Sequence, residues 1–383
     1  MLSATTIKRL AMEGTGLRIS IYLPTHRVGP GVTDEDRLRM KNLIANAARE
    51  LERLGTRSAE VDATLAPARA LLGDVEFWAN QGDGLALFLA HGGSEAFRLP
   101  LAVEEILVVG DAFHLKPLLP LVGDGRFHLL ALSQHRVRLY EGGRESIREL
   151  DLGDVPHSLL DVVGYDWEDS SLQFHTGAAG GAGRLRAAMF HGDGSPKDGA
   201  KDEIIAFLRA VDDGIARLIG DDDAPLVLAA VDYVASAYRL LTKVSSVLPV
   251  GVDGNPDRVP VGTLHARAWE IVAPILAARR EADADRLRSA TATDLVVTEL
   301  GPAVDRSVEG RIDTLFVAAG TEVWGRPSAV RGDVEVHDRR RPGDRDLLDL
   351  VAVRALQAGA RVYAVESGEM PVGAGPVAAL LRY

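Results

Sequence analysis

Between Gln173 and His191 the chain reads Q-F-H-T-G-A-A-G-G-A-G-R-L-R-A-A-M-F-H, with Gly177, Gly180, Gly181 and Gly183 inside seven positions. Glycine lacks a Cβ and reaches positive φ at little cost, so such a stretch lets main-chain N–H groups approach another molecule closely. Two chemistries suit it. The N–H groups of Gly180, Gly181 and Ala182 can face a developing oxyanion, as acyl transfer requires. Arg184 and Arg186, with no carboxylate between them, can clamp RNA phosphate. Without chemistry, the same residues make a surface hairpin and a solvated helix start. Nucleotide binding is disfavoured, because G-A-A-G-G-A-G-R lacks the Lys-Ser/Thr of a P-loop.

Other groups point less far. His175, His191 and Asp193 flank the loop without His-x-x-x-His spacing, so no metal site is expected, and no cofactor. Asp151, Asp154, Asp161, Asp166 and Asp169 fall in turns, unlike the strand-anchored carboxylates of a two-metal nuclease. The run Arg339-Arg340-Arg341 could contact RNA, but Asp338, Asp344 and Asp346 surround it, and it reads rather as a solvated loop. His128, His135 and Tyr140 read as half-buried packing residues. Trp78, Trp167, Trp269 and Trp324 are scattered, so no aromatic-and-basic platform for single-stranded RNA is expected.

Elements on either side must hold the glycine-rich tip. Phe127–Ser133 and Arg136–Glu141 read as two strands joined by a polar turn at Gln134-His135, with a third strand at Ser146–Leu152. After the tip, Ile204, Ile205, Leu208, Val211, Ile215, Leu218 and Ile219 share one stripe of a helix over Lys201–Ile219. Pro225–Val231 reads as a buried strand, followed by helices over Tyr233–Lys243 and Thr263–Leu287, the second with a break at Pro274. Upstream, L-R-I-S-I-Y-L at Leu17–Leu23 alternates as a half-buried strand. Asp34-Glu-Asp opens a helix with Leu38, Leu43, Ile44, Ala47, Leu51 and Leu54 on one face. Downstream come a short helix near Thr293–Leu300, a strand Thr314–Ala319 and a charged excursion Arg326–Arg345. A helix Asp344–Gln357, a strand Val362–Val365 and a last edge strand Ala378–Tyr383 complete the chain. The fold class is therefore α/β, in three domains: an N-terminal α/β domain over 1–122, a middle domain over 123–286 with the glycine-rich tip, and a C-terminal domain over 287–383.

Composition narrows the function. The 383 residues carry a formal charge of −12 and are 46% hydrophobic, as an ordinary soluble protein is. There is no cysteine, which excludes disulfides, thiolate zinc sites and cysteine nucleophiles together and suits a reducing cytosol. No signal peptide and no membrane span are expected, so the expected location is cytoplasmic. Residues 123–286 hold 18 Lys and Arg against 26 Asp and Glu. Diffuse binding to nucleic-acid backbone is thus disfavoured, and any RNA contact must be local.

The stretch F-H-L-L-A-L-S-Q-H-R-V-R-L-Y-E-G at Phe127–Gly142, the tip, and the closing R-I-D-T-L-F-V, D-L-L-D-L-V-A-V, V-Y-A-V and L-R-Y segments resemble the bacterial relatives of archaeo-eukaryotic release factors, with the third of those families nearest. The resemblance implies a ribonuclease-H-like middle domain, an L30e-like C-terminal domain and a variable first domain. Members of the superfamily carry Gly-Gly-Gln on a middle-domain loop. Gly180-Gly181-Ala182 with Arg184 matches that loop by position, with alanine where the glutamine would be. No Asn-Ile-Lys-Ser motif occurs in the first unit, so stop-codon decoding is not implied. The expectation is a ribosome-directed factor for release or rescue, partnered by the ribosome or a tRNA end, with peptidyl-tRNA hydrolysis as its candidate activity. The alternatives are a noncatalytic RNA- or protein-binding scaffold and, last, a hydrolase with an inter-domain cleft.

Overall fold

The computed structural model describes residues 4–12, 14, 16–27, 32–122, 125–164, 196–220, 222–328 and 330–383. Its described residues form a mixed α/β fold with four sheets. The chain divides into two compact units, one made of Met1–Gly125 with Leu276–Tyr383 and the other of Arg126–Ile275. The first and third sequence segments therefore share one unit.

In the two-ended unit, the first sheet runs in the order Gly93–Leu99, Gly84–Ala90, Arg18–Pro24, Ile106–Gly110, every pair antiparallel. Ile19, Ile21 and Leu23 alternate onto one face and pack with Met40, Leu43, Ile44 and Ala47 of the helix Val32–Arg53. Tyr22, Ala86 and Phe88 point the other way, against Ile7, Leu10, Leu115 and Leu118. The strand Arg18–Pro24 is thus buried on both faces, where alternation alone led us to expect one. Part of its second cover, Leu115 and Leu118, comes from residues far along the chain, which local periodicity does not register. Leu38, expected on the inner face of the helix, is exposed.

The second sheet of this unit is ordered Val296–Val297, Val377–Leu381, Ile312–Ala318, Arg361–Val365. Ile312–Ala318 pairs in parallel with Arg361–Val365, with the helix Leu347–Gln357 between them in the chain. The last strand lies inside the sheet, not at its edge, because Val296–Val297 pairs along its free side. That pairing also displaces the helix expected at 293–300. β-Branched Val296 and Val297 extend, and the helix Leu300–Val308 begins after Glu299. The expected excursion at 326–345 instead holds much of a small sheet of Trp324–Pro327, Val334–Val336 and Arg345–Asp346.

Among the described residues, the unit Arg126–Ile275 has one five-stranded sheet in the order Ile147–Leu150, Val137–Gly142, Phe127–Leu132, Leu226–Ala230, Val252–Asp253. The first three strands form an antiparallel meander, and the last two run parallel to Phe127–Leu132. Leu130, Leu132, Leu226, Leu228 and Ala230 pack against Phe207, Leu208, Val211 and Ile215 of the helix Pro196–Ile219 and Val234, Ala235 and Tyr238 of the helix Asp232–Leu241. Each Leu, Val, Ile or Phe among them contributes about 1.5–3 kcal/mol on burial. Leu218, expected on the inner stripe, is 46% exposed. The helix Val261–Ser289 continues through Pro274. Leu264, Ala268, Val272 and Leu276 are buried at every fourth position along it. Pro274 lies on the exposed side, where water can satisfy the carbonyl its ring leaves without a donor.

Candidate functional site

The tip residues Gly180, Gly181, Ala182, Arg184 and Arg186 lie outside the described residues, as do His175, His191, Asp193, Asp166, Asp169 and Trp167. What is described is the framework on either side of them. Before the tip, Leu159 is buried in the core and its N–H donates to the Gln134 carbonyl at 2.8 Å. One oxygen of Asp161 accepts from the N–H groups of His157 and Ser158 at 2.8 and 2.9 Å. After it, the helix Pro196–Ile219 is seated so closely that a Cβ on Gly214 would lie 2.6 Å from Val155. Asp212 of that helix is buried and accepts from the Thr242 hydroxyl at 2.6 Å and the Lys243 N–H at 2.8 Å. Both flanks are therefore fastened to one core.

The meander carries a charged network. Arg126 forks onto Asp222, with one contact at 2.7 Å, and Arg148 Nε reaches Glu141 at 2.9 Å. His128 is buried beside them, and burial lowers the pKa of its imidazole. Burial pushes the Tyr140 phenol up. His128 and Tyr140 are more deeply buried than their sequence reading, whereas His135 is exposed. Asp151 accepts from the Gly153 N–H at 3.0 Å, so it and Asp161 serve their turns. Among the described residues no group of three or more His, Asp and Glu side chains could hold a metal ion.

A second polar cluster, in the two-ended unit, joins residues more than 200 positions apart in the chain. Lys116 is 1% exposed and its ammonium lies 2.6 Å from Asp346. It also donates to the Thr321 carbonyl. Asp349 Oδ1 accepts from the N–H groups of Leu115 and Lys116 at 2.7 and 2.5 Å. Burial, with Asp346 nearby, pushes the Asp349 carboxyl up to about 7. Burial pushes the neighbouring His114 imidazole down to about 4. The clue in the sequence was a lysine inside the otherwise apolar run L-K-P-L-L-P-L-V. Arg340, from the triple-arginine run, is not a solvated residue. It donates to the Leu107 carbonyl at 3.0 Å and to Val109, pairs with Glu50 at 2.9 Å and lies over the Trp324 ring. Its guanidinium thereby caps the free edge of the strand Ile106–Gly110. Asp344 pairs with Arg326 at 3.1 Å, and Asp346 caps the helix Leu347–Gln357. These contacts are structural.

With the sheet order and flanks in place, sequence comparison supplies the relationship. Residues 127–274, nearly the whole of the unit Arg126–Ile275, match the model of Bacterial archaeo-eukaryotic release factor family 7. Over this stretch the chain resembles the bacterial archaeo-eukaryotic release factors. The matched family is the seventh, where the motifs had pointed to the third. No protein of curated function matches the chain. Among solved structures, an archaeal translation termination factor shares 14% identity, with 100% of this chain and 99% of that chain covered and a TM-score of 0.24. Pelota from Archaeoglobus fulgidus shares 13% identity over 78% of this chain and 79% of its own, with a TM-score of 0.24. Archaeal Pelota in a ribosome-bound model shares 12% identity over 78% and 77%, with a TM-score of 0.34. The resemblance to bacterial archaeo-eukaryotic release factors points to a translation-related role. Among the described residues no helix is long and apolar enough to cross a membrane.

Proposed function

We propose that this protein is a translation-associated, ribosome-directed factor of the release and rescue type, without stop-codon decoding. The observation that carries the reading is the family match over 127–274. In this reading Gly180, Gly181 and Ala182 offer main-chain N–H groups to the oxyanion formed when water attacks a peptidyl-tRNA ester. Arg184 and Arg186 hold nearby RNA phosphate, giving the local contact that an acidic middle segment demands. Ala182 lacks a side-chain amide to position the water, so the unaided rate is low. A three-stranded antiparallel meander followed by two parallel strands supports the ribonuclease-H-like description of the middle domain. The second sheet, with the helices Leu300–Val308 and Leu347–Gln357, supports an L30e-like C-terminal domain over 287–383. The partner is the ribosome or a tRNA end, and the location is the cytoplasm.

The test is co-sedimentation with ribosomes, followed by hydrolysis of peptidyl-tRNA on them. Co-sedimentation together with hydrolysis that rises in Ala182→Gln and disappears in Gly181→Pro is expected. Failure of both wild type and Ala182→Gln to release peptide removes the catalytic version. Co-sedimentation without release favours the second reading, a noncatalytic binding protein, which the missing glutamine itself recommends. Absence of co-sedimentation sinks the ribosome-directed reading.

A further inference from the structure

We infer that the crevice at the carboxyl ends of the strands Phe127–Leu132 and Leu226–Ala230 binds an unpaired nucleobase of single-stranded RNA. The choice of RNA rests on the ribosome-directed reading; the crevice does not. These two strands are parallel neighbours at the centre of the sheet. Beyond Leu132 the chain turns back into Val137–Gly142 on one side. Beyond Ala230 it passes through the helix Asp232–Leu241 to Val252–Asp253 on the other. Where neighbouring strands send their chains in opposite directions, the exits part and leave a gap, which is where open α/β sheets take their ligands.

Here the gap is a cavity of about 180 Å³. Its apolar lining includes Leu132, Val231 and Pro256, and its polar rim includes Gln134, Tyr233 and Asn255. The walls are tied by hydrogen bonds rather than left loose. The Ser133 hydroxyl lies 2.9 Å from both oxygens of Asp257 and accepts from the His135 and Arg136 N–H groups. Arg138, itself 7% exposed, donates to the Pro256 carbonyl at 2.9 Å. The rim is oriented in advance. Gln134 Nε2 donates to the Tyr233 hydroxyl at 2.8 Å, fixing the phenol, although the residue stays 56% exposed. Asn255 Oδ1 accepts from the Asp257 N–H at 3.0 Å, fixing its amide plane.

An exposed aromatic ring, two side-chain amides and an apolar lining are the means by which proteins hold a splayed-out base: stacking on one face and hydrogen bonds to its edges. Charge argues against a phosphate-led site. Asp257 is bonded into the wall, and Asp232 occupies the first turn of the adjoining helix. Binding is therefore led by the base and only weakly dependent on salt.

The experiment uses the full chain and two fluorescein-labelled probes, hexa-adenylate RNA and the same backbone with abasic riboses. Anisotropy is expected to show binding of hexa-adenylate and little of the abasic probe. Affinity should change only about threefold between about 50 and 200 mM salt. Tyr233→Ala is expected to weaken binding roughly tenfold or more and Tyr233→Phe to retain most of it, since the stacking face survives. Leu240→Ala, on the same helix, serves as the control for folding. Equal binding of the two probes, no binding at all, or an unchanged Tyr233→Ala overturns the inference. So does tighter competition by N-acetyl-phenylalaninamide than by adenosine, which assigns the crevice to peptide. Ribosome sedimentation of the wild type runs alongside: its failure removes the ribosome reading while the oligonucleotide result still decides the crevice.

Discussion

Replacing Asp349 with asparagine should expose a pH dependence that the wild type conceals. Asp349 titrates in the native state at about 7, against 3.8 for a free side chain. Between those values the folded protein holds a proton that the unfolded chain has released, so stability falls as pH rises through the window, by about 4 kcal/mol in all. His114 acts in the opposite sense. Its native value of about 4, against 6.5, means that the unfolded chain takes up the proton first as pH falls. Stability is then lost on acidification from about 6.5 to about 4, by about 3 kcal/mol. The two slopes nearly cancel where they overlap. Asparagine keeps the single oxygen that accepts from Leu115 and Lys116 and cannot ionise. Asp349→Asn is therefore expected to be more stable than wild type near pH 8 and to lose stability steeply below about pH 6.5. Urea unfolding followed by tryptophan fluorescence, from about pH 4.5 to about pH 8, measures the difference, and Trp324 lies 6.1 Å from the His114 ring. Parallel pH profiles for variant and wild type would refute the reasoning.

Lys116→Met leaves Asp346 buried without its cation and should cost about 3–5 kcal/mol, read as a lower urea midpoint; a cost below about 1 kcal/mol would mean the pair is solvated. Arg340→Ala removes the cap on the Leu107 and Val109 carbonyls together with the Glu50 ion pair. We expect a loss of about 2–3 kcal/mol and faster amide exchange in the strand Ile106–Gly110. Arg340→Lys should not restore it, since one ammonium cannot replace the planar fork. Gly214→Ala drives a methyl into Val155 and should cost about 1–3 kcal/mol. Adding Val155→Ala should recover part of that, and additive losses in the double variant would contradict the close approach.

The middle sheet was legible because its signals are local. An apolar run ends at Ser133, a polar turn follows at Gln134-His135, and the helical stripe after the tip has its own period. What was missed depends on partners remote in the chain. Val296-Val297 is a strand because residues 379–380 pair with it, and Arg18–Pro24 is covered twice because the segment around Leu115 closes over it. The crevice rim escaped for the same reason. Gln134, Tyr233 and Asn255 come from a hairpin turn, a helix start and a loop, so no spacing joins them. The tip itself was conspicuous in composition, but its residues are not among those the structure describes.

Asp349 takes its two amide partners from 234 and 233 positions earlier. On a ribosome, where the chain emerges from its first residue onward, the segment around Leu115 and Lys116 is synthesised long before the carboxylate that completes it. The whole of Arg126–Ile275 intervenes and can close its own core in that interval. Until the final helix arrives, the opening portion must wait with the Leu115 and Lys116 donors unanswered and without the cover that Val353 and Leu356 add.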